Sequence, residues 1–82
     1  MEDVREKVRN YIEENFLFGA EDVEDETSLL DEGYIDSTSV LEIVGFFEEE
    51  FGIKVEDEEL IPENFGSIAN QVAYLERKLA AS

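Results

Sequence analysis

Apolar residues recur along this chain at helical spacing, in three separate blocks. In the first, from about Asp3 to Phe16, Val4, Val8, Tyr11, Ile12 and Asn15 fall at i, i+4, i+7, i+8 and i+11, the polar Asn interrupting the last slot. That spacing predicts an amphipathic helix. Asp3 suits its N-cap, early acids suit its dipole, and Gly19 is a stop signal beyond its end. The second block predicts a helix starting near Asp36 or Ser37 and running to about Phe51. Val40, Val44, Phe47 and Phe51 form its stripe, Leu41, Ile43 and Phe46 widen it, and Gly52 follows as a C-terminal stop. The third block runs from about Ser67 to Leu79, with Ile68, Val72, Leu75 and Leu79 on one face and Ser67 as N-cap.

Between these blocks the period is lost. The stretch "GAEDVEDETSLLDEGYID" reads as a long polar connection, a kind of loop that is often functional. Val23, Leu29, Leu30, Tyr34 and Ile35 are placed to pin it to a core, and Gly33 to take a turn conformation closed to other residues. "IKVEDEELIPENF" predicts an extended piece, then a short helical turn around Glu58 to Leu60 ended by Pro62. The only hint of strand alternation is brief, at "GIKVE". The expected fold is all-α: a small four-helix bundle of three long helices and one short one, with a long loop between the first and second. With 82 residues, one domain spanning 1–82 is expected.

Composition narrows the chemistry. There is no Cys and no His, so the chain offers no thiolate, no Cys-based zinc site and no imidazole base. A Ser-His-Asp arrangement cannot be assembled from it, which argues against an enzyme acting alone. The formal charge is −17. A field of that sign repels nucleic acid and anionic membranes and attracts basic protein surfaces. Basic residues lie near the ends, apart from Lys54, and none occurs from Asn10 to Ile53. The start lacks the apolar segment of a signal peptide, and no run approaches the ~20 residues that span a bilayer. The expected setting is therefore cytoplasmic and the expected state monomeric. The acidic loop invites comparison with a calcium site. With Asp22, Glu24 and Glu26 as alternate ligands, Thr27 stands where the sharp-turn Gly belongs and Gly33 where the closing Glu belongs. The pattern fails at both, and a divalent-cation buffer is a weak reading.

The all-acidic middle contains the run "IDSTSV". Asp36, Ser37 and Ser39 are each suited to cap the second helix, and Ser39 with Glu42 fits the capping-box spacing. By itself an Asp-Ser pair before a helix is ordinary capping. The longer stretch "DSTSVLEIVGFFEEEFGI", followed by "LIPENFGSIANQVAYLERKL", resembles the acyl carrier proteins over roughly Thr27 to Leu79. The resemblance implies that Ser37 carries 4′-phosphopantetheine taken from coenzyme A. It also implies that Asp36 is recognised by the phosphopantetheinyl transferase that installs the arm. Glu42, Glu48 and Glu49 match the family's acidic recognition face, and Leu41 lies with them. The family's partners are a loading ligase and downstream acyltransferases or synthases with basic docking surfaces. Two positions depart from the fatty-acid carriers: Thr38 stands where Leu is usual and Gly45 where Met is usual, both in the apolar contact patch for partners. The lead-in "GYIDS" looks more like stand-alone carriers, including those that hold an amino acid. The alternative is an acidic helical interaction module with no covalent cofactor, in which Ser37 only caps.

Overall fold

The computed structural model describes residues 3–18 and 23–81. Helix α1, Val4–Ile12, starts where the sequence predicts: the Asp3 carboxylate accepts the Arg5 N–H at 3.2 Å. It does not end as an α-helix. It widens into a π-helical turn, Glu13–Leu17, and closes at Phe18 with φ +47°. The i+5 bonding of a π turn brings Leu17 onto the Val8–Ile12 face. Leu17 is accordingly buried, while Asn15 is exposed and bonds back to the Tyr11 carbonyl at 2.9 Å. The expected last slot thus belongs to Leu17, not Asn15. The stop signal at Gly19 lies outside the described residues.

The long connection is pinned as expected. Val23, Leu29 and Ile35 are buried, and Leu30 and Tyr34 pack against the core from its edge. Backbone bonds tie the connection to the far end of the chain: Leu29 N–H to the Gly66 carbonyl at 2.7 Å, and Ala69 N–H to the Asp25 carbonyl at 2.8 Å. Arg5 and Arg9 both grip the Asp25 carboxylate, and Arg9 also donates to the Val23 carbonyl at 2.7 Å. Burial opposes the charge on Asp25, yet the two guanidinium groups hold its pKa below the ordinary value. Gly33 has φ +81°.

Helix α2 spans Ser37–Phe51 and stops at Gly52, whose φ of +68° is a conformation that suits glycine. Its buried centre is Ile43 and Phe47; Val40, Val44, Phe46 and Phe51 flank them, and Leu41 faces solvent, 61% exposed. After the irregular segment 52–56 comes a single 3-10 turn, Asp57–Glu59. Pro62 then opens a short helix α3, Pro62–Phe65, where the sequence reading had it end one. Proline costs nothing at a first helical position, because its missing N–H would be unpaired there and its φ is already helical. Ile61 before it is extended, as a residue preceding proline should be. Helix α4, Ile68–Ala81, packs on α1 and α3. Ser67 caps it by accepting the Asn70 N–H at 3.1 Å. No strand occurs among the described residues, and no described helix is long and apolar enough to cross a membrane.

The core joins Val8 and Ile12 of α1, Ile43 and Phe47 of α2, Phe65 of α3, and Ile68, Tyr74 and Leu75 of α4. Aromatic rings run through it, Phe47 to Phe65 at 5.8 Å and Phe65 to Tyr74 at 5.1 Å between centroids. The turn Asp57–Glu59 is fastened to α4 by one carboxylate oxygen. Glu59 Oε1 accepts from Glu56 N–H at 2.9 Å, Tyr74 Oη at 3.0 Å and Lys78 Nζ at 3.0 Å. Burial, then the Glu59 carboxylate, hold the Tyr74 phenol well above its ordinary pKa.

Candidate functional site

The start of α2 separates two roles that the sequence left open. Asp36, extended at φ −136°, is the cap: its Oδ1 accepts the Ser39 N–H at 2.9 Å and the Ser39 hydroxyl at 3.1 Å. Those bonds, the backbone one first, hold the Asp36 carboxyl below its usual range. Ser39 is therefore a donor to the cap. The Ser39–Glu42 capping box does not form, because Ser39 sits in the third helical position with its own N–H already taken. A reciprocal box forms instead at the Glu56–Glu59 pair.

Ser37 is left as the first residue of the helix. It is exposed, and no hydrogen bond holds its hydroxyl among the described residues. Free N–H groups and the helix dipole favour negative charge at that end. A phosphodiester on the Ser37 oxygen therefore fits both the electrostatics and the open space. Next to it lies an apolar groove of about 360 Å³, bounded by Leu30, Ser37, Val40, Leu41, Leu60, Ile61, Pro62 and Phe65. Leu60, Ile61 and Pro62 were not picked out as site residues by sequence. Their one signal is an apolar Leu-Ile pair just ahead of a proline in an otherwise acidic segment. In the interior beyond the groove, Phe47 and Ile68 are fully buried, and Val44, Val72 and Leu30 are partly so.

The remaining candidates lie along the outer side of α2. Thr38, Leu41, Glu42, Gly45, Glu48 and Glu49 are all exposed. They are not equivalent. Glu48 Oε2 accepts the Val55 N–H at 2.9 Å, which ties it to the segment after the helix. Gly45 faces open space: a Cβ there would meet nothing within 4 Å. No internal packing requires a glycine at that point.

Small, acidic and helical, with a hydroxyl at a helix start that is unbonded among the described residues, the molecule has the build of a carrier for a covalently tethered group. The family model described as the phosphopantetheine attachment site matches residues 6–75. An acyl carrier protein of Thermotoga maritima is 35% identical over 78 residues, covering 95% of this chain and 94% of that protein. One from Zymomonas mobilis is 30% identical over 80 residues, covering 98% and 100%. A solved chain, from a structure titled as that of an FAD-dependent dehydrogenase, superposes with a TM-score of 0.73. It is 29% identical, over 83% of this chain and 97% of that one. The chain belongs to the phosphopantetheine-attachment family of acyl carrier proteins. It is a phosphopantetheine-dependent carrier and not itself a catalyst, and 4′-phosphopantetheine is its cofactor. Membership implies the usual partners of such carriers, a transferase that installs the arm and synthases that use it.

Proposed function

We propose that Ser37 is the attachment point and that this carrier holds an acyl or aminoacyl group for exchange between partner enzymes. The observation that carries this reading is the division of labour at the start of α2. Asp36 satisfies the cap, so Ser37 keeps an exposed hydroxyl with no competing bond. In the modification, Ser37 Oγ attacks the pyrophosphate phosphorus of coenzyme A that bears the pantetheine. A P–O bond forms to Ser37, adenosine 3′,5′-bisphosphate leaves, and the hydroxyl proton passes to a base of the transferase. When bound, the cofactor supplies a terminal thiol that holds cargo as a thioester. This Cys-free chain has no thiol of its own to compete for that cargo.

Asp36 serves in this reading as a charge the transferase recognises, in addition to capping the helix. Thr38, Leu41, Glu42, Gly45, Glu48 and Glu49 form the face that meets a loading ligase and a downstream acyltransferase or synthase. The carboxylates set on-rate and salt dependence against basic partners. The dehydrogenase title of the similar solved chain supports trying a flavin-dependent oxidation of the tethered group among the partner reactions. The reading places the carrier in the cytoplasm, where coenzyme A is available. Incubation with coenzyme A and a broad-specificity transferase tests it by intact mass: one phosphopantetheine addition on the native chain and none on Ser37→Ala. An addition on Ser37→Ala would overturn the site.

A further inference from the structure

The groove that begins at Ser37 has a closed floor. Of its lining residues only Phe65 is buried, at 1% exposure, which makes it the deepest. Behind Phe65 stand two more buried rings. Phe47 lies stacked at 5.8 Å with 25° between planes, and Tyr74 lies tilted at 5.1 Å. Phe65 is also held by its backbone. Its N–H bonds to the Ile61 carbonyl at 3.1 Å, and its carbonyl accepts Gln71 Nε2, which is fully buried, at 2.8 Å. Swinging the Phe65 ring aside would break the two ring contacts in a packed interior, and shifting its backbone instead would leave the buried Gln71 donor without its partner.

The groove is also small. Its volume, about 360 Å³, lies near the lower end of the ~300–1,000 Å³ range of pockets that enclose a drug-sized ligand. A groove of that size does not hold both a phosphopantetheine arm and a long alkyl chain.

We infer that Phe65, backed by Phe47 and Tyr74, limits what this carrier takes: a short acyl or small aminoacyl group at the mouth of the groove, with no long alkyl chain drawn into the bundle. The inference rests on the reading of Ser37 as the attachment point, and it names the cargo class for that site. Phe65 acts here as a specificity-determining residue.

The test loads cargo and arm together, from butyryl-, octanoyl- and tetradecanoyl-coenzyme A with a promiscuous transferase. Intact mass establishes loading first. If no mass is added to the native chain, it is the attachment reading that fails. Two properties of the loaded protein are then compared: its thermal midpoint, and the rate at which hydroxylamine attacks the thioester carbonyl and releases the thiol. A group exposed nearly all the time reacts at its open fraction, so cleavage rates for the three lengths are expected within about twofold of one another. The midpoints are expected to stay level. A chain taken into the core would bury more apolar surface with each methylene. A midpoint that climbs with length, with tetradecanoyl cleavage slowed about tenfold, would overturn the inference. Phe65→Leu then shortens the floor while keeping it apolar. It is expected to slow tetradecanoyl cleavage severalfold and leave butyryl unchanged. An unaltered length profile in a folded Phe65→Leu protein would show that Phe65 is not the limit. If that variant does not fold, the native length series decides alone.

Discussion

Two helices of this molecule begin beside a serine, and the two serines are used differently. At α4, Ser67 is 5% exposed and is itself the cap, its hydroxyl accepting the Asn70 N–H. At α2, Asp36 takes the cap, and Ser37, one position further on, is exposed, its hydroxyl unbonded among the described residues. The difference is one residue of register. A serine in the cap position is spent on the backbone, whereas a serine after an aspartate cap keeps its oxygen for other chemistry. The same residue type at a helix start can thus be structural or functional, and the residue before it decides which.

The strongest way to break the comparison is to exchange the two serines for alanine. Ser37→Ala should lose all modification while keeping its unfolding free energy within about 0.5 kcal/mol, because no bond of the folded state is removed. That is a smaller cost than the full capping loss of ~1 kcal/mol expected from sequence, where Ser37 was itself a candidate cap. Ser67→Ala should do the reverse, losing about 1 kcal/mol in urea unfolding yet accepting the arm at the native rate. If Ser37→Ala proves the less stable of the two, the assignment of caps is wrong.

Asp36 sharpens the contrast through pH. Its folded pKa lies below its unfolded value. Its contribution is therefore present above the unfolded pKa of about 3.9 and is lost as pH falls through the lower, folded value. Asp36→Asn keeps an accepting oxygen for the Ser39 N–H but removes the titration. Native minus Asp36→Asn stability should be flat above about pH 5 and shrink below about pH 4. In the proposed reading the same variant is also a poorer transferase substrate at neutral pH, by lower kcat/KM. A native-like kcat/KM would confine Asp36 to capping. The smallest effect is expected at Gly45. Gly45→Ala meets open space and should raise stability by up to ~1 kcal/mol through helix propensity alone. Any loss of partner turnover in that more stable variant would locate Gly45 in a docking face.

Both ends of α2 were legible in the sequence because they are set by local chemistry: a run of capping residues from Asp36 to Ser39 and a glycine able to take positive φ at position 52. The pinning of the long loop by Val23, Leu29 and Ile35 was legible too, since isolated apolar residues in an acidic stretch have few other places to go. What escaped depends on neighbours distant in the chain. The π turn that brings Leu17 inward answers to the Val8–Ile12 face. Gln71 and Tyr74 are buried against Phe65 of α3, where periodicity favoured Val72 and Leu79. Leu41 fits the apolar stripe by spacing but lies where no other element covers α2. Pro62 has two readings, stop and start, and only the placement of α3 against α4 selects between them. At the site, Asp36 and Ser37 could be named from sequence, but which of Asp36, Ser37 and Ser39 caps the helix was settled only by the geometry of Asp36 Oδ1. The groove walls at Leu60 and Ile61 come from a segment 23 residues or more beyond Ser37, and no local pattern joins them to it.

The central claim is that the serine spared from capping is the one that carries the arm. Intact mass after incubation with coenzyme A and a broad-specificity transferase tests it directly on the native chain, Ser37→Ala and Ser67→Ala. A single phosphopantetheine addition is expected on the native chain and on Ser67→Ala, and none on Ser37→Ala. An addition that survives Ser37→Ala, or a native chain left unmodified by an active transferase, would contradict it.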